Sequence, residues 1–311
     1  MGTTRPLTSA PPAPTALHAA APFRRALIVA NPTAGRGRAA KAARELERGL
    51  DALGVAADVH LTRGRGDGKD RVGAMTPGTD LVIAIGGDGT LREVFDGLAD
   101  PATPVALLPM GTANVLSIQL ALPRDVDGLL EVVRGRRLQQ IDVAEVEGGL
   151  SFLVTGIGFD GRVIRELEAR RKGSITKLSY LPAALRALRG YRPPELTVEV
   201  DGERLPGTYG LVLVSNIIHY GGLLKLRNAA LDDGHFEVFL FRKASLPALA
   251  FVALRGILSS IQDGRGCSVL PARHVRVESS EPVPFQVDGD YRGTTPIEIR
   301  LTGRRHVLLV P

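Results

Sequence analysis

Near Ile141 the chain changes period. Upstream, "RALIVANP" (Arg25–Pro32), "AADVHLT" (Ala56–Thr62), "DLVIAI" (Asp80–Ile85) and "PVALLP" (Pro104–Pro109) are short apolar runs. Between most of them apolar residues recur at helical spacing: Ala42, Leu46, Leu50 and Leu53, then Leu91, Val94, Phe95 and Leu98, then Val115 to Leu122 and Val126 to Val133. Alternation of this kind predicts an open parallel sheet with right-handed helical crossovers. "DLVIAI" is almost unbroken in hydrophobicity, as a strand covered on both faces should be. Downstream, "QQIDVAEVEG", "ELTVEVDGERL", "YGLVLVSN", "HFEVFLFRK", "PFQVDGDYRG" and "PIEIRLTGRRHVLLVP" have a period of two, with Asp-Gly or Thr-Gly pairs suited to tight hairpins. The predicted class is therefore α/β: an amino-terminal open parallel sheet followed by an antiparallel β-rich domain.

A length of 311 residues fits two domains. The expected boundaries are a disordered tail over 1–22, an α/β domain over 23–140 and a β-rich domain over 141–302. The tail lacks the continuous apolar core of a signal peptide. No run reaches the roughly 18 apolar residues of a membrane span, so a soluble protein is expected. Cys267 is the single cysteine; it can form no internal disulfide or zinc cluster, which predicts a small structural residue and a reducing, cytoplasmic setting. A net charge of +6 points to anionic partners, while an aromatic content of 5% leaves few stacking platforms for nucleic acid.

The stretch "AIGGDGTLREV" (Ala84–Val94) ends the third strand and opens a helix, with Thr90-Leu91-Arg92-Glu93 in the form of a capping box. Such a junction favours an anion, because free N–H groups and the helix dipole face it and glycines admit close approach. The spacing is neither the dinucleotide fingerprint nor the Walker turn, and an acid, Asp88, stands where a lysine would serve. Two like charges about 4 Å apart repel by roughly 4 kcal/mol at an effective dielectric of 20. Asp88 beside a phosphate thus implies Mg2+, directly or through water; the plainer reading is a tight turn in which Asp88 caps the following helix. "NPTAGRG" (Asn31–Gly37) and "LPMGTAN" (Leu108–Asn114) also follow strands and precede helices, and Thr62 ends the second strand, so four strand ends address one crevice.

"NPTAG", "IGGDGTLREV", "PMGTAN", "LDDGHFEV" and "VDGDYRG", in this order, resemble the lipid kinases of the diacylglycerol kinase catalytic-domain family, which includes sphingosine and ceramide kinases. The resemblance runs from about Arg24 to the carboxyl terminus. It implies a nucleotide-binding α/β domain rejoined by residues 303–311, a β-rich lipid-substrate domain, ATP as co-substrate and Mg2+. It further implies that Asn31 contacts the nucleoside end of ATP. Thr62, Gly86, Gly87, Asp88, Gly89, Thr90, Gly111, Thr112 and Asn114 would lie on the nucleotide side, with Asp88 in the metal network. Asp232 and Asp233 match an acidic pair linked to Mg2+, and Asp288 matches the carboxylate that takes the proton from the lipid hydroxyl, assisted by Asp290. The chain departs from the pattern at Ala34, where the family has Ser, at Arg92, where it has Asn, and at Asp290, where it has Glu.

The implied reaction is phosphoryl transfer from ATP to a lipid hydroxyl, with diacylglycerol first and sphingosine, ceramide or phosphatidylglycerol as rivals. An NAD kinase-like enzyme with a soluble substrate and a silent nucleotide or lipid sensor are the other readings. A lipid kinase must reach a membrane, so an anionic inner membrane surface and a second copy of the chain are the expected partners, and nucleic acid is not. "SITKLSYLPAALRALRG" (Ser174–Gly190) puts Leu178, Leu181, Leu185 and Leu188 near one face with Lys177, Arg186 and Arg189 around it, next to Arg170, Arg171 and Lys172. That pattern suits an interfacial helix or one packed on the β-domain. "LPALAFVALRGIL" reads as core or cleft wall, and His219 and Tyr220 as flanking the substrate cleft.

Overall fold

The computed structural model describes residues 17–170, 179–220, 224–226, 229–245, 247–250, 254, 256, 260–264 and 266–311. Leu178, Lys177, Arg171, Lys172 and most of "LPALAFVALRGIL" lie outside them, as do the side chains of His219 and Tyr220. The first half lays down β1 (Leu17–His18), β2 (Arg25–Ala30), a tight turn α1 (Ala34–Gly37), α2 (Ala39–Ala52), β3 (Ala56–Leu61), α3 (Asp67–Gly73), β4 (Leu81–Gly86), α4 (Asp88–Gly97), β5 (Pro104–Pro109), α5 (Val115–Gln119), α6 (Val126–Gly135) and β6 (Arg137–Val146). After it come β7 (Gly149–Ser151), β8 (Val154–Gly158), α7 (Phe159–Ala169), α8 (Tyr180–Ala187), β9 (Leu196–Val200), β10 (Glu203–Arg204), β11 (Leu211–Ser215), β12 (His219–Tyr220), β13 (Leu224–Lys225), β14 (Phe236–Phe241), β15 (Cys267–Ala272), β16 (His274–Ser279), β17 (Pro284–Val287), β18 (Asp290–Thr294) and β19 (Ile297–Val310).

Strands β5, β4, β2 and β3 stand side by side and parallel. Successive residues of a strand point to opposite faces. Leu27, Val29, Val82 and Ala84 accordingly join the core under α3 and α4, whereas Ile28, Ala30, Ile83 and Ile85 join the core under α2 and α6. The second half is antiparallel, in a sheet ordered β15-β14-β11-β8-β17-β18. Its inner face (Ile157, Val212, Val238, Phe285) packs on Val198, Val275 and Val277 of β9 and β16, which makes the second layer of a sandwich. The single cysteine, Cys267, is buried on the other face of this sheet, among Leu211, Phe239 and Phe241.

Two sequence expectations change. Residues 17–22 are not part of a free tail: Leu17 and His18 pair with Leu138 and Arg137 at the end of β6, and Phe23 is buried. An unpaired strand edge is satisfied this way. Thr302-Gly303 closes no hairpin, because β19 continues through it with a bulge between Leu301 and Arg305. The Asp-Gly pairs at Asp201-Gly202 and Asp288-Gly289 do close two-residue turns, with both residues at positive φ as such turns require.

Candidate active site

At the carboxyl edge of the parallel strands the chain order reverses, with β3 on one side of β2 and β4 on the other. Loops leaving such a switch point diverge and open a crevice. Here three turns knit its floor. Asn31 N donates to Ile85 O (2.9 Å), Gly35 N to Met110 O (2.9 Å), and Met110 N and Gly111 N both to Gly86 O (2.7 and 3.1 Å). A Cβ on Gly111 would lie 2.4 Å from the Gly87 Cα, and one on Gly86 2.2 Å from the Thr90 Oγ1. Glycine is therefore required where the turns cross.

Asn31, Thr62, Gly86, Gly87, Asp88, Gly89, Thr90, Gly111, Thr112 and Asn114 all lie on turns or helix starts at the ends of β2 to β5. The Asn31 Oδ1 accepts from Thr33 N and Thr33 Oγ1. Gly89 is exposed and Thr90 buried. Asn114 sits at φ 47°, donates from Nδ2 to Gly111 O (2.7 Å), and keeps a buried Oδ1 with no protein partner.

Asp88 is the first residue of α4, but its carboxylate serves α5: Val115 N donates to Oδ2 (3.0 Å) and Leu116 N to Oδ1 (3.4 Å). It thus satisfies free N–H groups of a neighbouring helix rather than its own. The capping box does not form. Extended Gly87 lets α4 begin two residues before Thr90, and Glu93 reaches instead to Gly66 N (2.9 Å) and Gly68 N (3.1 Å). Gly66, at the N-cap of α3, has no side chain to do that work.

Asp288 opens the β17–β18 turn, and its carboxylate is wrapped by four donors: Ser151 Oγ, Leu153 N and Val154 N on Oδ1 (3.0 Å each) and Phe152 N on Oδ2 (3.1 Å). Burial raises its pKa against the pull of Arg92 and these N–H groups. Burial likewise pushes Asp88 up to about 6, opposed by Val115 and Leu116 N–H and aided by the charge of Asp288. The two acids share one electrostatic neighbourhood.

Asp290, expected to assist Asp288, is engaged by two arginines. Arg92, 4% exposed, donates from Nη2 to Asp290 Oδ2 and from Nη1 to Val287 O (3.2 Å), while Arg65 Nη2 donates to the same Asp290 oxygen (2.5 Å). Burial would raise the Asp290 pKa, yet Arg92 and Arg65 hold it below the usual carboxylate range. The reach of a shortened acid is taken up by the long side chain opposite. Sequence reading passed over Arg65, Tyr180, Asp160 and Gln286. Gln286 Nε2 donates to Asp160 Oδ2 (2.8 Å), and Gly289 N donates to Gln286 Oε1 (2.7 Å), which steadies the Asp288 turn. A glutamine in the otherwise apolar "PFQV" was the available signal. Tyr180 opens α8; burial raises its pKa, as do Asp160, Asp88 and Asp290, so the helix begins in the field of the site acids.

Asp232 and Asp233 are placed before β14, facing β6. Asp232 Oδ2 accepts from Gln139 Nε2 (3.0 Å) and Asp233 Oδ1 from His235 N (3.1 Å). Burial, with Asp142 and Asp232 beside it, raises the Asp233 pKa. Burial and Asp233 together push Glu237 up to about 8. Among the described residues no three His, Cys, Asp or Glu side chains converge as ligands of a metal would.

Among the described residues no helix is long and apolar enough to cross a membrane. The family model for the diacylglycerol kinase catalytic domain matches residues 25–146, and that for the YegS C-terminal NAD kinase beta sandwich-like domain matches 154–309. The chain is 30% identical over 293 residues to a diacylglycerol kinase of Bacillus subtilis (strain 168), covering 92% of this chain and 97% of that one. It is 27% identical over 288 residues to a diacylglycerol kinase of Staphylococcus haemolyticus, with 91% and 86% covered. Two crystal structures from Bacillus anthracis str. Sterne, each 23% identical, share the fold at TM-scores of 0.78 and 0.70, covering 94% and 93% of this chain and 97% of each of theirs. With the crevice, its glycine turns and its paired acids in the matched segments, the chain belongs to the diacylglycerol kinase catalytic-domain family and is a kinase.

Proposed function

We propose that the protein transfers the γ-phosphoryl group of ATP to the hydroxyl of a membrane lipid, with diacylglycerol as acceptor and phosphatidic acid as product. The observation that carries the lipid reading is α8. Its first residue, Tyr180, lies in the field of Asp88 and Asp290, and the helix exposes Leu181 (66%) and Leu185 (57%). Exposed leucines one step from the reacting acids are of no use to a soluble substrate; on a bilayer they would insert. Arg186 and Arg189 flank them and Arg170 follows α7, giving the helix the charge that an anionic inner leaflet attracts.

Burial raises the pKa of both acids, which favours proton acceptance near neutrality; with Asp88 given to Mg2+, Asp288, held in place by four donors, is the base. The lipid oxygen forms a bond to the γ-phosphorus, the bond to the β,γ-bridging oxygen breaks, and the hydroxyl proton passes to Asp288. Mg2+ fits the residues present: the Asp88 carboxylate and the unpartnered Asn114 Oδ1 both border the glycine turns, one to bind the ion or its water, the other to accept from that water. Bound there, the ion would neutralise charge on the phosphates.

The test is transfer of labelled phosphate from ATP to a panel of vesicle-borne lipids, with NAD and a sugar phosphate as soluble acceptors. Diacylglycerol should be labelled by the wild type and far less by Asp88→Asn. Labelling of a soluble acceptor and of no lipid would refute the reading.

A further inference from the structure

Two guanidinium groups from separate parts of the chain hold Asp290, Arg65 before α3 and Arg92 in α4, and a third, Arg292 in β18, feels its charge. Arg292 is pressed by burial and by the charges of Arg92 and Arg65, which Asp290 and Asp96 only partly offset. One carboxylate oxygen receives both Arg65 and Arg92. Asp290 is the acid that the guanidinium groups contact directly, while Asp288 and Asp96 act on Arg92 from further off. Arg92 is immobile, being buried and tied to Val287 O, but the Arg65 side chain is 65% exposed and can swing. Arg65 follows Thr62 by three residues and Arg92 follows Thr90 by two, so both border the turns that would hold phosphates.

We propose that Arg65, Arg92 and Arg292 form a phosphate clamp and that Asp290 is its resting counter-anion, displaced in part when a phosphate dianion enters. Guanidinium forks suit this task, since each offers paired donors to phosphate oxygens. The ligand chemistry is a terminal phosphate monoester-type group, either the γ-phosphate of the nucleotide or the phosphate on the phosphorylated lipid. The inference rests on the kinase reading above, but binding measured without acceptor lipid keeps the two separable.

Affinities for ATP and ADP, and for a water-soluble short-chain phosphatidic acid, are measured on the full chain by calorimetry for wild type, Arg65→Ala, Arg292→Ala and Asp290→Asn. Loss of a charge-assisted bond should weaken ATP about tenfold in each arginine variant while ADP changes little. Asp290→Asn removes the competing anion and should tighten ATP several-fold, an outcome opposite to that for a nucleotide ligand or a merely structural link. Should ATP and ADP be unaffected while phosphatidic acid weakens about tenfold in the arginine variants, the clamp serves the lipid phosphate. Equal losses for ATP and ADP with no change for phosphatidic acid, or no change for any ligand, would overturn the proposal. If Asp290→Asn no longer melts cooperatively, the two exposed arginine variants decide the matter alone.

Discussion

Asp88 and His306 are buried titratable groups that answer to acid with opposite sign. The Asp88 pKa of about 6 lies above the ordinary carboxylate value of 3.8, so the folded state holds the proton more tightly. At neutral pH the ionised acid therefore costs about 3 kcal/mol, a cost relieved as pH falls from 6 toward 4. His306 stacks on Phe95 with ring centroids 4.4 Å apart, and burial lowers its pKa to about 4. Its neutral form is the folded one, so stability is lost, by up to about 3 kcal/mol, as pH falls from 6.5 to 4. The two nearly cancel in the wild type. In urea unfolding over that window, His306→Phe should gain stability toward pH 4 and Asp88→Asn should lose it; parallel curves for all three proteins would remove both assignments. Asp88→Asn should also lower turnover by about a hundredfold or more at neutral pH while still melting cooperatively. Asp288→Asn should lower turnover at least as far while leaving the affinity for ATP unchanged; wild-type turnover in that variant would rule out Asp288 as the base.

The two helices beside the site differ in what their sequences disclose. The leucine stripe of α8 is legible as a period, but its direction is not: Ala183 and Ala187 face α7, packing with Val163, Ile164 and Leu167, and Leu181 and Leu185 are left outside. A period identifies a face, whereas the partner of that face is set by distant chain. Since both leucines are exposed, Leu181→Asp and Leu185→Asp should move stability by no more than about 0.5 kcal/mol. Co-sedimentation with anionic vesicles should drop several-fold, together with the rate on vesicle-borne lipid, while the affinity for ATP stays as it was; unchanged co-sedimentation would mean that α8 does not dock. In α4 the local reading failed for a related reason. The capping box of Thr90 to Glu93 is a local pattern, but Glu93 finds α3 and Arg92 finds the β17–β18 turn, 195 residues away. The glycine turns were legible because their chemistry is local: close backbone crossings exclude a Cβ whatever the rest of the fold does. Glu93→Ala should destabilise by about 1 kcal/mol, the usual loss for a removed cap, measured as a lowered urea midpoint with an unchanged slope.

At the scale of the molecule the two halves are joined by continuous strands. Residues 297–300 of β19 pair with β16 in the sandwich, and the same strand then runs along β6 until Val307 and Leu308 lie parallel to β5. Val307, Leu308 and Leu309 are buried in the parallel-sheet half, and His306 brings with it the stack on Phe95 of α4. Burying each such aliphatic side chain contributes about 2 kcal/mol, so three amount to about 6 kcal/mol, comparable to the whole net stability of a domain, about 5–15 kcal/mol. Removing residues 303–311 would also strip β5 and much of β6 of their hydrogen-bonding neighbour. The sandwich strands β8, β11 and β14 pair only with one another, β15 and β17, and lose none of those bonds. The truncated chain should therefore lose ATP binding and show fast amide exchange through β2, β4 and β5 while β11 and β14 stay protected. Retention of wild-type ATP affinity after truncation would show that the parallel sheet is complete without its last strand, and that β19 merely passes alongside it.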